Sequence, residues 1–112
     1  MKRSEIWLIN LDPAIGAEIR KKRPAVIVND DELGILPLKV IVPITDWKDR
    51  YQAAAWMIKI EPDNSNNLRK TSSADCFQVR SLSEERLIRK IGQVDEKTMK
   101  KISKALAKVL KI

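Results

Sequence analysis

The sequence predicts a mostly β domain in which short strands form a small antiparallel barrel, followed by one amphipathic helix at the C-terminal end. Short runs rich in Ile, Val and Trp recur along the chain, separated by Gly, Pro, Asn and Asp, which is typical of strands joined by tight loops. No run is followed by a long crossover helix, which disfavours a parallel sheet. After Asp95 the hydrophobic period becomes that of a helix.

Five segments combine β-branched or aromatic residues with flanking turn residues and are predicted as strands: residues 6–11, 25–29, 39–44, 54–60 and 72–79. Closure into a barrel would remove the free sheet edges. The segments between them, residues 12–23, 29–37, 46–53 and 62–71, hold most of the charged and turn-forming residues, so we expect surface loops there. Pro43 lacks an amide hydrogen and is expected at a bulge or a sheet edge.

The C-terminal helix is predicted to be capped by Asp95. Lysines on its wet face usually confer solubility, although such a row can also bind phosphates. Upstream, Ser81 and Glu84 have the spacing of a capping box, which predicts a helical turn over residues 84–86, and residues 87–91 are compatible with a further strand. The apolar face of the helix is predicted to comprise Met99, Ile102, Ala105, Leu106, Val109 and Leu110.

Length and charge narrow the class of protein. The chain has 112 residues, the size of one domain over residues 1–112, and carries 22 Lys and Arg against 15 Asp and Glu, a net charge of +7. This excess favours a polyanionic partner, which could be nucleic acid, an acidic protein or an anionic membrane. The apolar runs are too short to span a membrane and no segment has the pattern of a signal peptide, so we expect a cytoplasmic protein without a membrane partner.

Two residue types restrict the available chemistry. Histidine is absent, which removes the usual general base, the imidazole metal ligand and every Ser/His or Cys/His nucleophile. Cys76 is the single cysteine, so no internal disulfide can form, and its surroundings favour a buried packing role. We therefore expect no cofactor and no metal site, although Asp and Glu alone can bind Mg²⁺.

Four sets of residues occur in a specific order and spacing over nearly the whole chain. They are EIWL at residues 5–8 with LDP at 11–13 and Gly16; Glu18, Arg20 and Arg23-Pro24 before VIV at 26–28; VPIT at 42–45; and Ser72 with QVRS at 78–81. Together they resemble the MazF/PemK family of toxins from type II toxin–antitoxin systems. The resemblance implies an SH3-like barrel of the MazF/CcdB kind, a homodimer, metal-independent cleavage of single-stranded RNA, no cofactor, and inhibition by a cognate antitoxin.

In the family, the positions that match Arg23 and Thr45 carry the chemistry. RNA supplies its own nucleophile, the 2′-hydroxyl, so the enzyme must align the attack, disperse charge on the phosphoryl oxygens and assist the leaving 5′-oxygen. The guanidinium of Arg23 suits charge stabilisation and proton donation, but not general-base catalysis, because it stays protonated. The hydroxyl of Thr45 can bind the phosphate or orient the 2′-hydroxyl. The expected products are a 2′,3′-cyclic phosphate and a 5′-hydroxyl end.

Further residues are expected to bind RNA or to support the site. The loop residues before Arg23 would hold it by hydrogen bonds or read base edges. Gln78 is interpreted as a mid-strand amide available for base recognition or dimer contacts. Trp47, with Tyr51 and basic neighbours, would stack on an unpaired base or pack against the barrel. The full supporting set is Glu18, Arg20, Lys22, Trp47, Gln78 and Arg80.

The chain departs from the family pattern in its first long loop. Ala17 and Ile19 stand where many relatives have Ser and Gln, and Lys21-Lys22 stand where a glycine is frequent. Because this loop is expected to lie over the RNA, the RNA sequence at which cleavage occurs is not predicted. Two other functions also stay open: a protein-binding toxin of similar fold, as the CcdB gyrase poisons are, and a nucleic-acid-binding barrel without catalysis.

Overall fold

Antiparallel strands dominate the structure, a computed structural model that describes residues 1–112. The strands are β1 (Glu5–Asn10), β2 (Lys22–Ile27), β3 (Leu38–Asp46), β4 (Met57–Ile60), β5 (Ser72–Asp75), β6 (Arg80–Ser83) and β7 (Leu87–Gln93). They are followed by α1 (Glu96–Leu110). Every strand pair is antiparallel, so the predicted mostly β class with a C-terminal helix is confirmed. Short 3₁₀ turns cover Asp31–Leu33, Asp49–Ala53, Cys76–Gln78 and Glu84–Arg86.

The long central strand β3 bends the sheet because it changes partners along its length. The strand order is β4-β5-β3-β2-β1-β7, and β6 pairs with the first part of β3. Pairing of β3 with β6 ends at Ile41, and pairing with β5 begins at Ile44. Pro43 lies between these two stretches, where the pairing is interrupted. Of the two predicted positions, a bulge or a sheet edge, the edge is wrong because β3 has partners on both sides. The change of partner leaves a place where a missing amide hydrogen removes no ladder bond.

Both faces of the sheet carry a hydrophobic core, since apolar residues fill both sets of alternating positions. On one face, Val26 belongs to a cluster that includes Ile102 of α1. On the other face, Ala25 and Ile27 belong to a second cluster, against which Ile19 of the first long loop packs. The second core matters for function because Arg23 continues the same set of positions on β2.

Helix α1 begins as predicted, with the Asp95 carboxylate accepting a hydrogen bond from Thr98 N at 2.7 Å. Met99 and Ile102 are buried against the sheet. Leu110, predicted on the apolar face, is 56% exposed, because it lies at the margin of the apolar stripe in the last turn. The helix is neither long nor apolar enough to cross a membrane.

Residues 72–79, predicted as one strand, instead divide into β5 and a 3₁₀ turn, and the following strand β6 was missed. Asp75 causes the break, because its side chain accepts a hydrogen bond from Phe77 N at 3.2 Å and so caps the turn. The turn over Glu84–Arg86 is present, but its cap is Ser83 and not Ser81. A hydroxyl directly before the turn reaches its amides better than one two residues further away.

The barrel is not closed by strand pairing, in contrast to the predicted closure. β4 and β7 are the terminal strands of the sheet. Helix α1 packs against β4, and β7 carries exposed Arg89 and Lys90. Helix cover and charged side chains both discourage pairing with another chain.

Candidate active site

Arg23 and Thr45 lie on neighbouring strands and on the same face of the sheet. Ala25 of β2 and Pro43 of β3 are direct cross-strand partners. Residues two apart on a strand share a face, so Arg23 follows Ala25 and Thr45 follows Pro43 toward the same end of that face. Both side chains are half-buried. The structure therefore groups the two residues that were predicted to carry the chemistry.

The guanidinium of Arg23 is held by the main chain and has no acidic partner. Its Nε donates a hydrogen bond to the carbonyl oxygen of Arg20 across 3.4 Å. None of the ion pairs in the structure involves Arg20, Lys21, Lys22 or Arg23. A guanidinium that no carboxylate neutralises is suited to bind a phosphate.

The β1–β2 loop, residues 11–21, is fixed at both ends. Leu11 N donates to the carbonyl oxygen of Lys21 at 3.0 Å, and Lys21 N donates to Asp12 Oδ1 at 2.9 Å. Arg86 Nη1 donates to the carbonyl oxygens of Asn10 and Asp12 at 3.2 and 2.7 Å. Lys21 has φ 70°, a left-handed conformation that accounts for the glycine expected in this segment. These contacts set the position from which β2, and with it the active-site arginine, begins.

Gln78 holds the middle of this loop. Its Oε1 accepts a hydrogen bond from Ile19 N at 2.6 Å. Its Nε2 donates to the carbonyl oxygen of Ala17 and to Asp75 Oδ2, each at 3.3 Å. Gln78 ends a 3₁₀ turn, so the interpretation as a mid-strand amide was wrong. Because the amide is engaged within the protein, base recognition by Gln78 would require these bonds to break.

Glu18 and Arg20 have different relations to Arg23. The Glu18 carboxylate accepts a hydrogen bond from Ile15 N at 2.7 Å, within the loop, and forms no ion pair. Arg20 contacts Arg23 through its carbonyl oxygen, and its own side chain is exposed. Of the two residues expected to hold Arg23, only Arg20 does so.

An open groove of about 520 Å³ adjoins this face. Its walls come from the β1–β2 loop, from β3 and from the segment that leads into β6. Pro43 lines the groove and lies two residues before Thr45 on the same face, so the groove lies next to the Arg23–Thr45 pair. The polar lining residues are Glu18, Gln78 and Arg80, and Ile19 and Phe77 add apolar surface. Such a mixed lining is what an unpaired base requires.

A row of side chains continues from Thr45 across the sheet. Thr45 pairs with Ser73, and Ser73 pairs with Lys59. The Lys59 ammonium lies 5.0 Å from the ring centroid of Trp47, and this ring packs edge-on against Tyr51 with 5.9 Å between centroids. Trp47 is therefore half-buried by packing and also close to the site. Lys59 was missed by the sequence analysis, because only the cross-strand register places it in this row.

Of the two remaining supporting residues, Arg80 lines the groove and Lys22 does not. Arg80 opens β6 opposite Ile41, lines the groove and is half-buried. Lys22 is exposed and directly precedes Arg23. Since adjacent strand residues point to opposite faces, Lys22 faces away from the Arg23–Thr45 pair.

The acidic and thiol groups behind the groove have perturbed acidities. Burial raises the pKa of Asp75, although hydrogen bonds from Phe77 N and Gln78 act in the opposite direction. Burial, reinforced by the charge of Asp75, raises the pKa of the Cys76 thiol to about 12. Cys76 is fully buried and stays a neutral thiol near neutral pH, which confirms its predicted packing role. No group of three or more Cys, Asp or Glu side chains is placed to hold a metal ion.

Comparison with known proteins gives a consistent family. A family model for the PemK-like, MazF-like toxin of type II toxin–antitoxin systems matches residues 2–110. The chain is 30% identical to Endoribonuclease MazF9 of Mycobacterium tuberculosis (strain ATCC 25618 / H37Rv), over 95% of this chain and 92% of that protein. It is 29% identical to Endoribonuclease PemK of Escherichia coli, over 98% of this chain and 82% of that protein.

Solved structures share the fold. The crystal structure of MazF (Form-I) from Deinococcus radiodurans superposes with a TM-score of 0.83 at 17% identity, covering 100% of this chain and 97% of that chain. An endoribonuclease in complex with its cognate antitoxin from Mycobacterial species gives a TM-score of 0.77 at 20% identity, covering 100% and 96%. At these identities the likeness concerns the fold alone.

Proposed function

This chain belongs to the PemK-like, MazF-like toxin family of type II toxin–antitoxin systems, and we propose that it is an endoribonuclease that cuts single-stranded RNA without a metal ion. The observation that carries the proposal is the placement of Arg23 and Thr45 on one face, with a guanidinium that no carboxylate neutralises. Two relatives that the chain matches over most of their length are named endoribonucleases.

In this proposal Arg23 stabilises the charge that develops on the phosphate. The 2′-hydroxyl attacks the adjacent phosphorus and gives its proton to water, the bond from phosphorus to the 5′-oxygen breaks, and the 5′-oxygen takes up a proton. The negative charge on the phosphoryl oxygens grows in the transition state, so a fixed cation binds that state more strongly than the substrate. Arg23 can also protonate the leaving 5′-oxygen. The products are a 2′,3′-cyclic phosphate and a 5′-hydroxyl end.

Thr45 positions the reacting groups. Its hydroxyl both donates and accepts hydrogen bonds, so it can hold a phosphoryl oxygen or orient the 2′-hydroxyl for in-line attack. The strand pairing with Ser73 and the continuous β3 backbone give this hydroxyl a rigid support. A rigid support is useful because small misplacements of reacting atoms lower the rate strongly.

RNA recognition is assigned to the groove beside Pro43. Arg80 contributes charge, and the apolar surface of Ile19 and Phe77 suits the face of a base. Trp47 and Lys59 extend the surface on the other side of Thr45. Ala17 and Ile19, two of the loop residues that differ from the family pattern, line this groove, so the cleaved motif depends on them.

The remaining assignments follow from family membership. We propose a cytoplasmic homodimer, since its substrate would be cellular mRNA, and a cognate antitoxin that inhibits it. One structural neighbour is a complex with its cognate antitoxin. For this chain, a net charge of +7 favours an antitoxin segment that is acidic and covers the groove.

The test is to incubate purified protein with a long unstructured RNA in chelator and to map every new end. Arg23→Ala and Thr45→Ala should each abolish cutting, whereas the control Lys97→Ala, at an exposed residue of α1, should cut like wild type. A substrate with a single 2′-deoxy sugar at the cut site should resist cleavage. Normal cutting of that substrate would exclude internal attack.

The same experiment separates the other functions. Toxicity that persists in Arg23→Ala and Thr45→Ala, without RNA cutting, would indicate a protein-binding toxin. Binding of RNA that weakens with salt, without any product, would indicate a nucleic-acid-binding barrel. Activity that disappears in chelator and returns with Mg²⁺ would indicate a metal-dependent nuclease.

A further inference from the structure

Asp75 is a buried carboxylate whose two oxygens serve two different donors. Oδ1 accepts from Phe77 N at 3.2 Å, and Oδ2 accepts from Gln78 Nε2 at 3.3 Å. The residue is 6% exposed and takes part in no ion pair. Burying a carboxylate without a cation is unfavourable unless its hydrogen bonds are satisfied. The contacts of Asp75 therefore point to a role in ordering its neighbours.

The orientation of the Gln78 amide follows from Asp75. An ionised carboxylate only accepts hydrogen bonds, so the part of Gln78 that faces it must be the NH₂ group. The same NH₂ group donates to Ala17 O at 3.3 Å, and Oε1 is then directed to Ile19 N, from which it accepts at 2.6 Å. A flipped amide would oppose acceptor to acceptor on one side and donor to donor on the other. Asp75 thus favours the amide orientation that both bonds to the loop require.

We propose that Asp75 is a positioning residue for RNA cleavage, which through Gln78 holds the β1–β2 loop in place as one wall of the groove. The contacts Asp75–Gln78, Gln78–Ala17 and Gln78–Ile19 are called the Asp75–Gln78 bridge. This inference rests on the proposed ribonuclease function. The loop ends at β2, where the hydrogen bond from Arg23 Nε to the carbonyl oxygen of Arg20 and the pairing of β2 with β1 hold Arg23 independently of the bridge.

The bridge acts on binding more than on chemistry. When the bridge is broken, the β1–β2 loop moves away from its position as a wall of the groove in part of the molecules. Only the fraction of molecules in which the loop is in place binds RNA. The apparent affinity falls by that fraction, whereas chemistry in the bound complex is unchanged. A fraction of one tenth raises KM about tenfold and leaves kcat within about twofold.

Two single substitutions break the bridge and their combination restores it. Asp75→Asn leaves one side-chain oxygen to accept from both Phe77 N and Gln78 Nε2. Gln78→Glu places a second carboxylate against that of Asp75. In the double variant the new amide at position 75 donates to the new carboxylate at position 78, which still accepts from Ile19 N. The donation to Ala17 O is lost, and the carboxylate oxygen that replaces the NH₂ group faces this carbonyl oxygen. Because Ala17 is exposed, a water molecule can bridge the two oxygens. Rescue by the double variant is therefore specific to this hydrogen-bond polarity.

The loop offers a readout that needs no RNA. Trypsin cuts after Arg20, Lys21 and Lys22, and all three residues are exposed. In the intact folded protein, with the cuts located by mass spectrometry, each single variant should be cut at these residues about tenfold faster than wild type. The double variant should return to within about threefold of wild type, and KM should follow the same order. Gln93→Ala, which removes an exposed amide on β7, is the matched control and should change neither value.

Gln78→Ala provides a second test in case Asp75→Asn does not fold, because it leaves the Asp75–Phe77 bond intact. It should reproduce the faster trypsin cutting and the higher KM. The proposal is overturned if the single variants behave like wild type, if the double variant is no better than the singles, or if Gln78→Ala changes the cleaved motif at an unchanged trypsin rate. Wild-type protein that cuts no RNA would reject the proposed function, while the trypsin comparison would still decide whether the bridge holds the loop.

Discussion

Arg86 Nη1 lies 2.7 Å from the carbonyl oxygen of Asp12, and the same nitrogen donates to the carbonyl oxygen of Asn10 at 3.2 Å. One cation from the turn before β7 thus holds the end of β1, where the β1–β2 loop begins. Gln78 holds the middle of that loop, and the hydrogen bonds of Lys21 hold its end. The groove wall is therefore fixed at separate points by residues distant in sequence.

Replacing Arg86 should cost stability, because it removes charge-assisted hydrogen bonds to two main-chain carbonyls. We expect Arg86→Ala to lower the free energy of unfolding by about 2 kcal/mol. Urea unfolding followed by circular dichroism measures this change. Arg69→Ala removes an exposed arginine and should stay within about 0.5 kcal/mol of wild type. Equal effects of the two substitutions would contradict the anchoring role of Arg86.

Glu84 and Glu85 should differ strongly although they are adjacent. The Lys39 side chain is 5% exposed, and its Nζ lies 3.0 Å from Glu84 Oε1. Glu84→Ala would leave a buried ammonium without its partner and should cost about 3 kcal/mol. Glu85 is exposed and forms no ion pair, so Glu85→Ala should cost less than about 0.5 kcal/mol. Denaturant unfolding measures the free energy of unfolding of both variants. A difference between them below about 1 kcal/mol would contradict the burial of the Lys39 charge.

Glu5 should make the protein acid-sensitive. Burial alone would raise the pKa of Glu5, but hydrogen bonds from Trp7, from Lys2 N and from Lys90 outweigh it and lower the pKa from 4.5 to about 2. A lowered folded-state pKa means that the stabilisation is present above pH 4.5 and is lost as the pH falls toward 2. We expect a loss of about 1–2 kcal/mol, less than the full shift implies, because solvent screens part of the interaction.

The measurement is the thermal midpoint between pH 6 and pH 2 for wild type and Glu5→Gln. The variant should start less stable and lose less stability over this interval. Glu61→Gln, at an exposed residue whose ion pair with Lys59 spans 3.7 Å, is the control and should retain the wild-type slope. Parallel curves for wild type and Glu5→Gln would show that Glu5 does not carry this acid sensitivity.

The C-terminal helix, whose start and period depend on residues close together in the sequence, was predicted correctly. The helix after Asp95 has a cap and a regular apolar stripe, and both features are visible over one or two turns of sequence. The division of residues 72–79 depends on the hydrogen bond from Phe77 N to the Asp75 side chain. This side chain competes with the hydrogen bonds of a continued strand, and residue type alone does not decide which of the two forms. For Pro43 the choice between a bulge and a sheet edge stayed open, because the change of partner along β3 involves strands far away in sequence.

The candidate site shows the same limit. Arg23 and Thr45 were identified by family resemblance, and the register of β2 and β3 places them together. Gln78 was expected to serve base recognition or dimer contacts because an amide in an apolar run needs a partner, but the sequence does not show that the partner is the β1–β2 loop. Lys59 entered the site only through pairing with Ser73. Contacts between distant segments were the missing information in each case.

The segment before β5 should make Gly92 intolerant of any side chain. A Cβ at Gly92 would lie 2.4 Å from the carbonyl oxygen of Ser65 and 2.7 Å from that of Asn66. This backbone cannot easily move, because Asn66 is 2% exposed and its side chain bonds to Glu61 O at 2.8 Å and to Leu68 N at 3.0 Å. A clash with a fixed backbone costs about 3 kcal/mol or more.

Gly92→Ala should therefore be far more destabilising than Gly16→Ala. Gly16 has φ 59° and nothing near its Cβ position, so its substitution carries only the conformational cost of about 1 kcal/mol. Urea midpoints of both variants measure the difference. If Gly92→Ala were the milder of the two, the segment around Asn66 would have to be loosely packed on β7. Because Asn66→Ala frees the backbone that the new methyl group meets, the double variant Asn66→Ala/Gly92→Ala should lose less stability than the sum of the two single losses.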